Sequence, residues 1–494
     1  MQCLYLIPLV LTIILGIYLY VCKNRKPVLD IILISGCIVC VGCTLALCFA
    51  SSDLKLSLFK ITEEMTLMFK VDVISKIFGL LISVIWLIVS IFSIKYMDKE
   101  ENVNKFYAYS LLTLAFMLGL SYSGNILTMY IIYEFVTLAS MPLVMHSKTK
   151  ESKKAALKYL FYSLGGGFLG LFAIISGMIY STNGGEFILG GSFSKELVSS
   201  GLTLVQIAIL CGLIGFGAKC GAFPLQSWLP SAHPVAPSPA SALLSGMITK
   251  AGVIVIIRLV FYVFGTSLIK GTFVQYTWEV LLLITILLGS TLALLQNTFK
   301  RRLAYSSISQ LSYVLLGICA LNEDGFVGSL LHVMSHAFVK VGLFLVAGVI
   351  IYQYEIHKVD EMDGIGKKAP ITMWCFTLFS LALIGVPPMG AFVSKWYLAQ
   401  GSLSNGLVFF NYFGAVVLLI SAILTACYLL PISIHAFFPK EKVEYKKDKE
   451  PILMVVSLIA LVVGVFAIGI FSGYIVDMII ASIGGGLLWV HGFY

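Results

Sequence analysis

Seven basic side chains of this chain fall inside apolar stretches: Lys76, Lys158, Lys219, Lys250, Arg258, Lys340 and Lys395. A charge at the centre of a membrane helix costs about 2.5–3.5 kcal/mol on insertion scales, so such residues pair, face a water-filled cavity, or reach back to an interface. Reaching back suits Lys76 and Arg258, each within about a turn of the end of its stretch, and competes with a buried role for Lys158. It does not suit Lys219, Lys250, Lys340 or Lys395, which have apolar sequence on both sides. These four need water or a counter-charge. Glu134, in "NILTMYIIYEFVTLASMPLVMH", reads as the one carboxylate deep in a span and the natural partner of a buried lysine. With Glu134 ionised beside it a lysine keeps its proton, and when the pair opens in a low dielectric the proton leaves.

Histidines extend the set. The stretch "HVMSHAFVK" spaces His332, His336 and Lys340 at intervals of four, which places all three on one face of a helix. Such a row suits proton hopping through intervening water, because histidine titrates near neutrality and desolvation makes a lysine proton transferable. Two histidines at that spacing also suit zinc, but no Glu follows the first and no third ligand is evident, so no metal is expected.

Proline marks where these residues sit. Pro224 follows Lys219 by five positions, and Pro387-Pro388 precedes Lys395 by seven, so each pair breaks a span near its middle. A broken helix exposes backbone groups, which a bilayer tolerates only where protein or a water-filled cavity satisfies them. Paired interruptions in two halves of a transporter point to repeats of inverted topology around the transport path.

The elements that must position these residues are membrane helices. Of 494 residues 59% are hydrophobic and 12% charged, an all-α polytopic composition outside the soluble average. A span needs roughly 20 apolar residues, and windows of that size give about fourteen candidates: 4–22, 28–50, 73–95, 106–123, 125–146, 155–180, 204–229, 239–263, 276–298, 303–320, 327–352, 371–399, 407–437 and 451–480. They divide into helices 1–3 over residues 1–100, a first five-helix repeat with broken helix 7 over 101–265, a second with broken helix 12 over 266–440, and helix 14 with the C-terminus over 441–494.

Loops after odd-numbered spans hold 21 Lys and Arg, against 5 after even-numbered spans (Lys55, Lys60, Lys70, Lys195 and Lys270). Positive loops stay in the cytoplasm, so both termini are expected outside it. The net charge of +9 is mostly this asymmetry and argues against a nucleic-acid partner. The first span carries its basic cluster after the apolar run, with no small-residue cleavage site, and reads as a retained helix. Eleven cysteines are scattered; Cys37, Cys40 and Cys43 recur every third residue within a span, where small-residue packing is expected rather than an iron–sulfur site. No nucleotide fingerprint or Gly-rich phosphate loop is present, so no cofactor is expected and any redox chemistry belongs to partners.

The segments "KCGAFPLQSWLPSAHPVAPSPASALLSGMITKAGVIVIIR", "RRLAYSSISQLSYVLLG", "LLHVMSHAFVKVGLFLVAG" and "GVPPMGAFVSKW" together resemble the antiporter-like proton-pumping subunits shared by respiratory complex I, membrane-bound hydrogenases and Mrp-type cation/proton antiporters. The resemblance runs from about residue 100 to 400, and its "FVSKW" wording is most like hydrogenase-type and Mrp D-type subunits. It implies a central hydrophilic axis: Glu134 as the fifth-helix glutamate, Lys219 as its partner in the broken seventh helix, Lys250 in the eighth, His332, His336 and Lys340 in the eleventh, and Lys395 in the broken twelfth. Lys158, from its place inside an apolar stretch, is counted with the proton-translocating set. It further implies a proton-translocating subunit of a multi-subunit complex in a bacterial or archaeal cell membrane. The partners would be other membrane subunits and a peripheral redox module with iron–sulfur or nickel–iron subunits. The alternative is an Mrp-type Na+/H+ antiporter with no redox partner. Sodium stays open, since lysine relays carry protons and sodium asks for an oxygen-rich site.

Overall fold

The computed structural model describes residues 4–22, 25–49, 54–60, 66–193, 201–407, 410–439 and 449–483. Three helices open the chain: α1 (Leu6–Val21), α2 (Lys26–Cys48) and, after a hairpin, α3 (Val73–Tyr96). The hairpin pairs β1 (Leu54–Lys60) with β2 (Thr66–Val71) antiparallel. It went unforeseen in the sequence, and it places Lys55, Lys60 and Lys70 on strands rather than in an irregular loop. Its second strand is tied down: Lys70 N–H donates to Tyr122 O at 2.8 Å, and Met68 O accepts from Gly124 N–H at 2.9 Å.

The first five-helix set is α4 (Val103–Ser121), α5 (Ile126–Val144), α6 (Lys150–Tyr180), the broken pair α7 (Leu202–Cys220) and α8 (Leu229–Val235), and α9 (Ser238–Phe264). The second is α10 (Phe273–Leu295), α11 (Phe299–Cys319), α12 (Glu323–Tyr354), the broken pair α13 (Pro370–Ile384) and α14 (Gly390–Leu403), and α15 (Asn411–Phe437). In both sets the fourth member is the broken one. Five is odd, and two sets with an odd number of crossings in succession are how an inverted repeat arises. The chain continues with α16 (Ile452–Ile470) and α17 (Ser472–Ile483); a turn at Phe471 divides what the sequence reads as one last span.

Among the described residues, eleven helices are long and apolar enough to cross a membrane. Three expected spans fall short of that description for separate reasons. Helix α1 has 16 residues, α11 carries Lys300, Arg301 and Arg302 in its first turn and several serines after them, and the twelfth expected span is split into α13 and α14. The chain is a multi-span, all-helical membrane protein apart from its hairpin. Residues 1–3, 23–24, 194–200, 440–448 and 484–494, on which part of the loop-charge reading and both termini depend, lie outside the described residues.

Burial sorts the helices. Every residue from Ser238 to Phe264 is buried, whereas only a third of α2's most apolar window is. A helix apolar all round belongs at the centre, so α9 is the inner post of the bundle, with α12 beside it. Close approach elsewhere comes from small residues: Gly166 and Gly170 of α6 lie against Gly215 of α7, where a methyl would strike backbone.

Candidate functional site

The two helix breaks hold the first and last lysines of the row. Helix α7 ends at Gly221, whose φ of 76° favours glycine, and Phe223-Pro224 and Pro387-Pro388 are cis peptides. Lys219, in the last turn of α7, is fully buried; its Nζ donates to Thr137 Oγ1 at 2.6 Å and to Tyr133 O at 3.4 Å, with the Tyr133 ring centroid 4.2 Å away. The direct Glu134–Lys219 ion pair expected from the sequence is not closed here. Tyr133 and Thr137 lie four apart on one face of α5, and Glu134, turned by about 100° from Tyr133, points elsewhere. It faces α6, where the absent side chain of Gly167 leaves it room, and neither carboxylate oxygen has a hydrogen-bond partner among the described residues. Lys158 donates to Ser231 Oγ of α8 at 3.0 Å, so it reaches across the bundle to a partner rather than only along its own helix.

Lys250 sits between two π-helical turns of α9, Leu244–Ile248 and Arg258–Phe264. Such turns re-aim side chains and recur at functional sites. Its buried Nζ donates to Ser245 O at 2.7 Å and to His336 Nδ1 at 2.8 Å. Cys220 Sγ, next to Lys219, lies 3.5 Å from Thr249 O, next to Lys250, so the two lysine positions adjoin through the α7–α9 contact.

His332, His336 and Lys340 share one buried face of α12, as their spacing requires. Their partners differ. His336 meets Lys250, and its ring centroid is 6.1 Å from that of His332. His332 Nδ1 is 2.9 Å from Ser394 Oγ and its Nε2 3.1 Å from Gln310 Oε1. Ser394 precedes Lys395, whose Nζ reaches back over the break to Leu383 O at 2.7 Å and Ile384 O at 2.9 Å, carbonyls left open by the end of α13. Lys340 branches away, donating to Ser306 Oγ at 2.6 Å and Leu303 O at 3.2 Å on α11. Polar groups thus follow one another from α5 through α7, α9 and α12 to α14.

Three residues differ from their sequence reading. Arg258, taken there as reaching an interface, is 1% exposed; it holds Asp72 through Nη1–Oδ2 at 2.5 Å and Nη2–Oδ1 at 2.9 Å and stacks between Phe187 and Tyr262. Snorkelling failed because α9 has no exposed face. Lys76, given the same reading, is half-buried in the first turn of α3, in keeping with it. Lys300, counted as a loop charge, is buried and donates to Ala236 O at 2.8 Å. Glu279 of α10 is also buried, so Glu134 is not the one carboxylate inside the spans. His233 of α8, unremarked in the sequence, is fully buried and stacked 4.5 Å from Phe344, with neither ring nitrogen hydrogen-bonded among the described residues. Only its place in a proline-flanked segment, "LPSAHPV", could have drawn attention to it.

Paired broken helices around a buried row of Lys and His define an antiporter-like membrane subunit. The sequence profile described as "NADH:quinone oxidoreductase/Mrp antiporter, TM" matches residues 123–425, and one described as "NADH-Ubiquinone oxidoreductase (complex I), chain 5 N-terminus" matches residues 61–107. The chain is 32% identical over 397 residues to NADH-quinone oxidoreductase subunit N of Desulforudis audaxviator, covering 76% of each protein. It is 26% identical over 419 residues to F(420)H(2) dehydrogenase subunit N of Methanosarcina mazei, covering 83% of each. Its fold matches a chain of the Mrp complex from Dietzia sp. DQ12-45-1b with a TM-score of 0.84 at 19% identity, covering 99% of this chain and 97% of that one. The chain belongs to the NADH:quinone oxidoreductase/Mrp antiporter family of membrane subunits.

Proposed function

We propose that this protein moves protons across the membrane as one subunit of a multi-subunit complex driven by a redox module. The observation that carries the reading is the succession of buried Lys219, Lys250–His336, His332 and Ser394 that ends on half-buried Lys395, in which the Lys250–His336 contact is direct at 2.8 Å. Each group can hold or pass a proton, and a buried lysine without a carboxylate in contact has no structural need to stay charged. Glu134 gates the row: when its side chain turns from α6 toward Lys219 it holds that lysine charged, and when it turns away the proton moves on by Lys250 and the α12 face toward Lys395. In this reading residues 101–265 and 266–440 act as the two repeats around this path, and the asymmetry of loop charge supports termini outside the cytoplasm.

The redox partner is supported by the two named relatives, each a subunit of a dehydrogenase or oxidoreductase. Co-purification tests it: iron–sulfur or nickel–iron subunits are the expected companions, and small membrane subunits alone would instead assign a sodium/proton antiporter. The row is tested by Glu134→Gln, which should abolish proton movement into vesicles by the assembled complex, whereas Glu134→Asp should keep part of it. A wild-type rate for Glu134→Gln refutes the gate.

A further inference from the structure

Glu279 lies in the second turn of α10 and is 1% exposed. Its only hydrogen-bonding neighbour among the described residues is the Asn405 amide, with Nδ2 3.2 Å from Oε1 and 3.1 Å from Oε2. That amide is fixed in direction, because its Oδ1 accepts from Leu407 N–H at 2.8 Å. A single amide nitrogen serves two carboxylate oxygens, and no cation is within ion-pair distance among the described residues. A buried ionised carboxylate needs more donors than this, whereas a carboxylic acid does not.

A row of hydroxyls leads from the axis to the same helix. Lys340 Nζ meets Ser306 Oγ at 2.6 Å, and Tyr428 OH lies 2.8 Å from Ser306 Oγ and 3.2 Å from Thr425 Oγ1. One turn on, Ser421 Oγ of α15 is 2.5 Å from Ser290 Oγ of α10 and 3.0 Å from Ser309 Oγ of α11, all three buried. Ser290 and Glu279 lie on α10 about 16 Å apart at 1.5 Å per residue. Hydroxyls accept and donate at once, so each of these two clusters passes a proton without carrying charge; Thr425 Oγ1 donates to the backbone Ser421 O at 2.8 Å between them, and water must bridge the stretch of α10 from Ser290 to Glu279.

We infer that Glu279 is a proton-exchanging carboxyl at the N-terminal end of α10, where the second five-helix set returns protons to the aqueous face. This deepens the proton-moving reading and rests on it. In each cycle the Glu279 O–H bond breaks as its proton passes to water at that face, and a new O–H bond forms with a proton delivered from the Lys340 side, so no other reactant is needed. The bland alternative is a clasp holding α10 to the α14–α15 connection. Glutamine separates the two, because Glu279→Gln keeps an oxygen for the Asn405 amide but cannot release a proton.

The test compares wild type, Glu279→Gln, Glu279→Asp and Glu134→Gln in the whole complex reconstituted in vesicles, reading proton movement with a pH-sensitive dye. Glu279→Gln should fall at least tenfold and Glu279→Asp should recover part of the rate. If Glu279→Gln pumps normally while Glu134→Gln does not, the Glu279 assignment falls alone; if both pump normally, the proton axis itself falls. Should Glu279→Gln fail to assemble, the wild-type complex decides. Treatment with a membrane-permeant carbodiimide, which modifies protonated carboxyls, should label Glu279 at neutral pH in mapped peptides, and an unlabelled Glu279 overturns the inference.

Discussion

Removing one partner of the Arg258–Asp72 pair should destabilise the bundle far more than removing both. The pair joins α9 to the start of α3, with Arg258 1% and Asp72 14% exposed at the side chain. Breaking a buried pair from one side costs about 3–5 kcal/mol, because the remaining charge stays in low dielectric without its counter-charge. Arg258→Met leaves Asp72 with two bonds from Ser75, N–H and Oγ each at 2.9 Å, which argues for the lower end, about 3 kcal/mol. Asp72→Asn keeps the helix cap and one acceptor oxygen but takes the counter-charge from a guanidinium that also meets Ser75 Oγ at 3.1 Å and two aromatic faces. The double variant carries neither charge, so the coupling should reach about 2 kcal/mol in a double-mutant cycle. Denaturant unfolding in detergent, followed by tryptophan fluorescence, measures all four proteins. Additive losses, or a loss under about 0.5 kcal/mol for Arg258→Met, would refute the pairing argument and restore the snorkelling one. The pH dependence has a definite sign. Burial by itself would raise the Asp72 carboxyl, but Arg258 and the Ser75 bonds outweigh it and hold the group below its usual range. Its stabilising contribution is therefore full above about pH 4 and lost as pH falls through the lowered folded value. Asp72→Asn should remove that acid-side loss.

Two further predictions follow from the lysines. Lys395→Ala should stop proton release while the α5–α7 contacts stay intact, and Lys395→Glu should keep some transport because a carboxyl also passes a proton; wild-type stoichiometry for Lys395→Ala, measured in vesicles, would make the lysine a helix-end cap and nothing more. A cysteine introduced in the basic loop between Lys440 and Lys449 should be shielded from an impermeant thiol reagent in intact cells, and one added after Tyr494 should react; the reverse pattern overturns the orientation.

The sequence carried most of the fold because span length and proline position act through backbone hydrogen bonding, which the bilayer enforces along the chain. It carried the His332–His336–Lys340 face for the same reason, since helical spacing alone sets it. What it missed depends on packing between distant segments. Arg258, Lys300 and Glu279 all stand near span ends, and sequence offers depth along a helix as its one measure of distance from water. That equivalence holds only for a helix at the rim. On α9, buried along its whole length, the end of a span is as dry as its middle, so Arg258 had to find Asp72 across 186 positions of sequence. The hairpin between Leu54 and Val71 was missed because "LKLSLFK" and "TLMFKV" are too short and too charged to register as spans, and a search by span length leaves such segments as loop.

The two terminal lysines show how an inverted arrangement hides in the order of residues. Lys219 precedes its proline and Lys395 follows its pair, which in the sequence looks like a mirror image. In space their ammonium groups find different partners. Lys219 belongs to the last turn of α7 but its Nζ turns to Thr137 Oγ1 and Tyr133 O of α5, whereas Lys395 reaches back to Leu383 O and Ile384 O at the C-terminal end of α13, the first half of its broken helix. The carbonyls at that end have no partner within their own helix and carry the negative end of its dipole. A break in mid-membrane therefore supplies a partial negative charge that favours an ammonium without a permanent carboxylate. A lysine held by carbonyl groups alone can lose its proton without leaving a buried anion behind, which a fixed Lys–Glu pair cannot do. On the proton-moving reading proposed above, that difference makes the break, rather than the lysine by itself, the element that fits the Lys395 position for proton transfer.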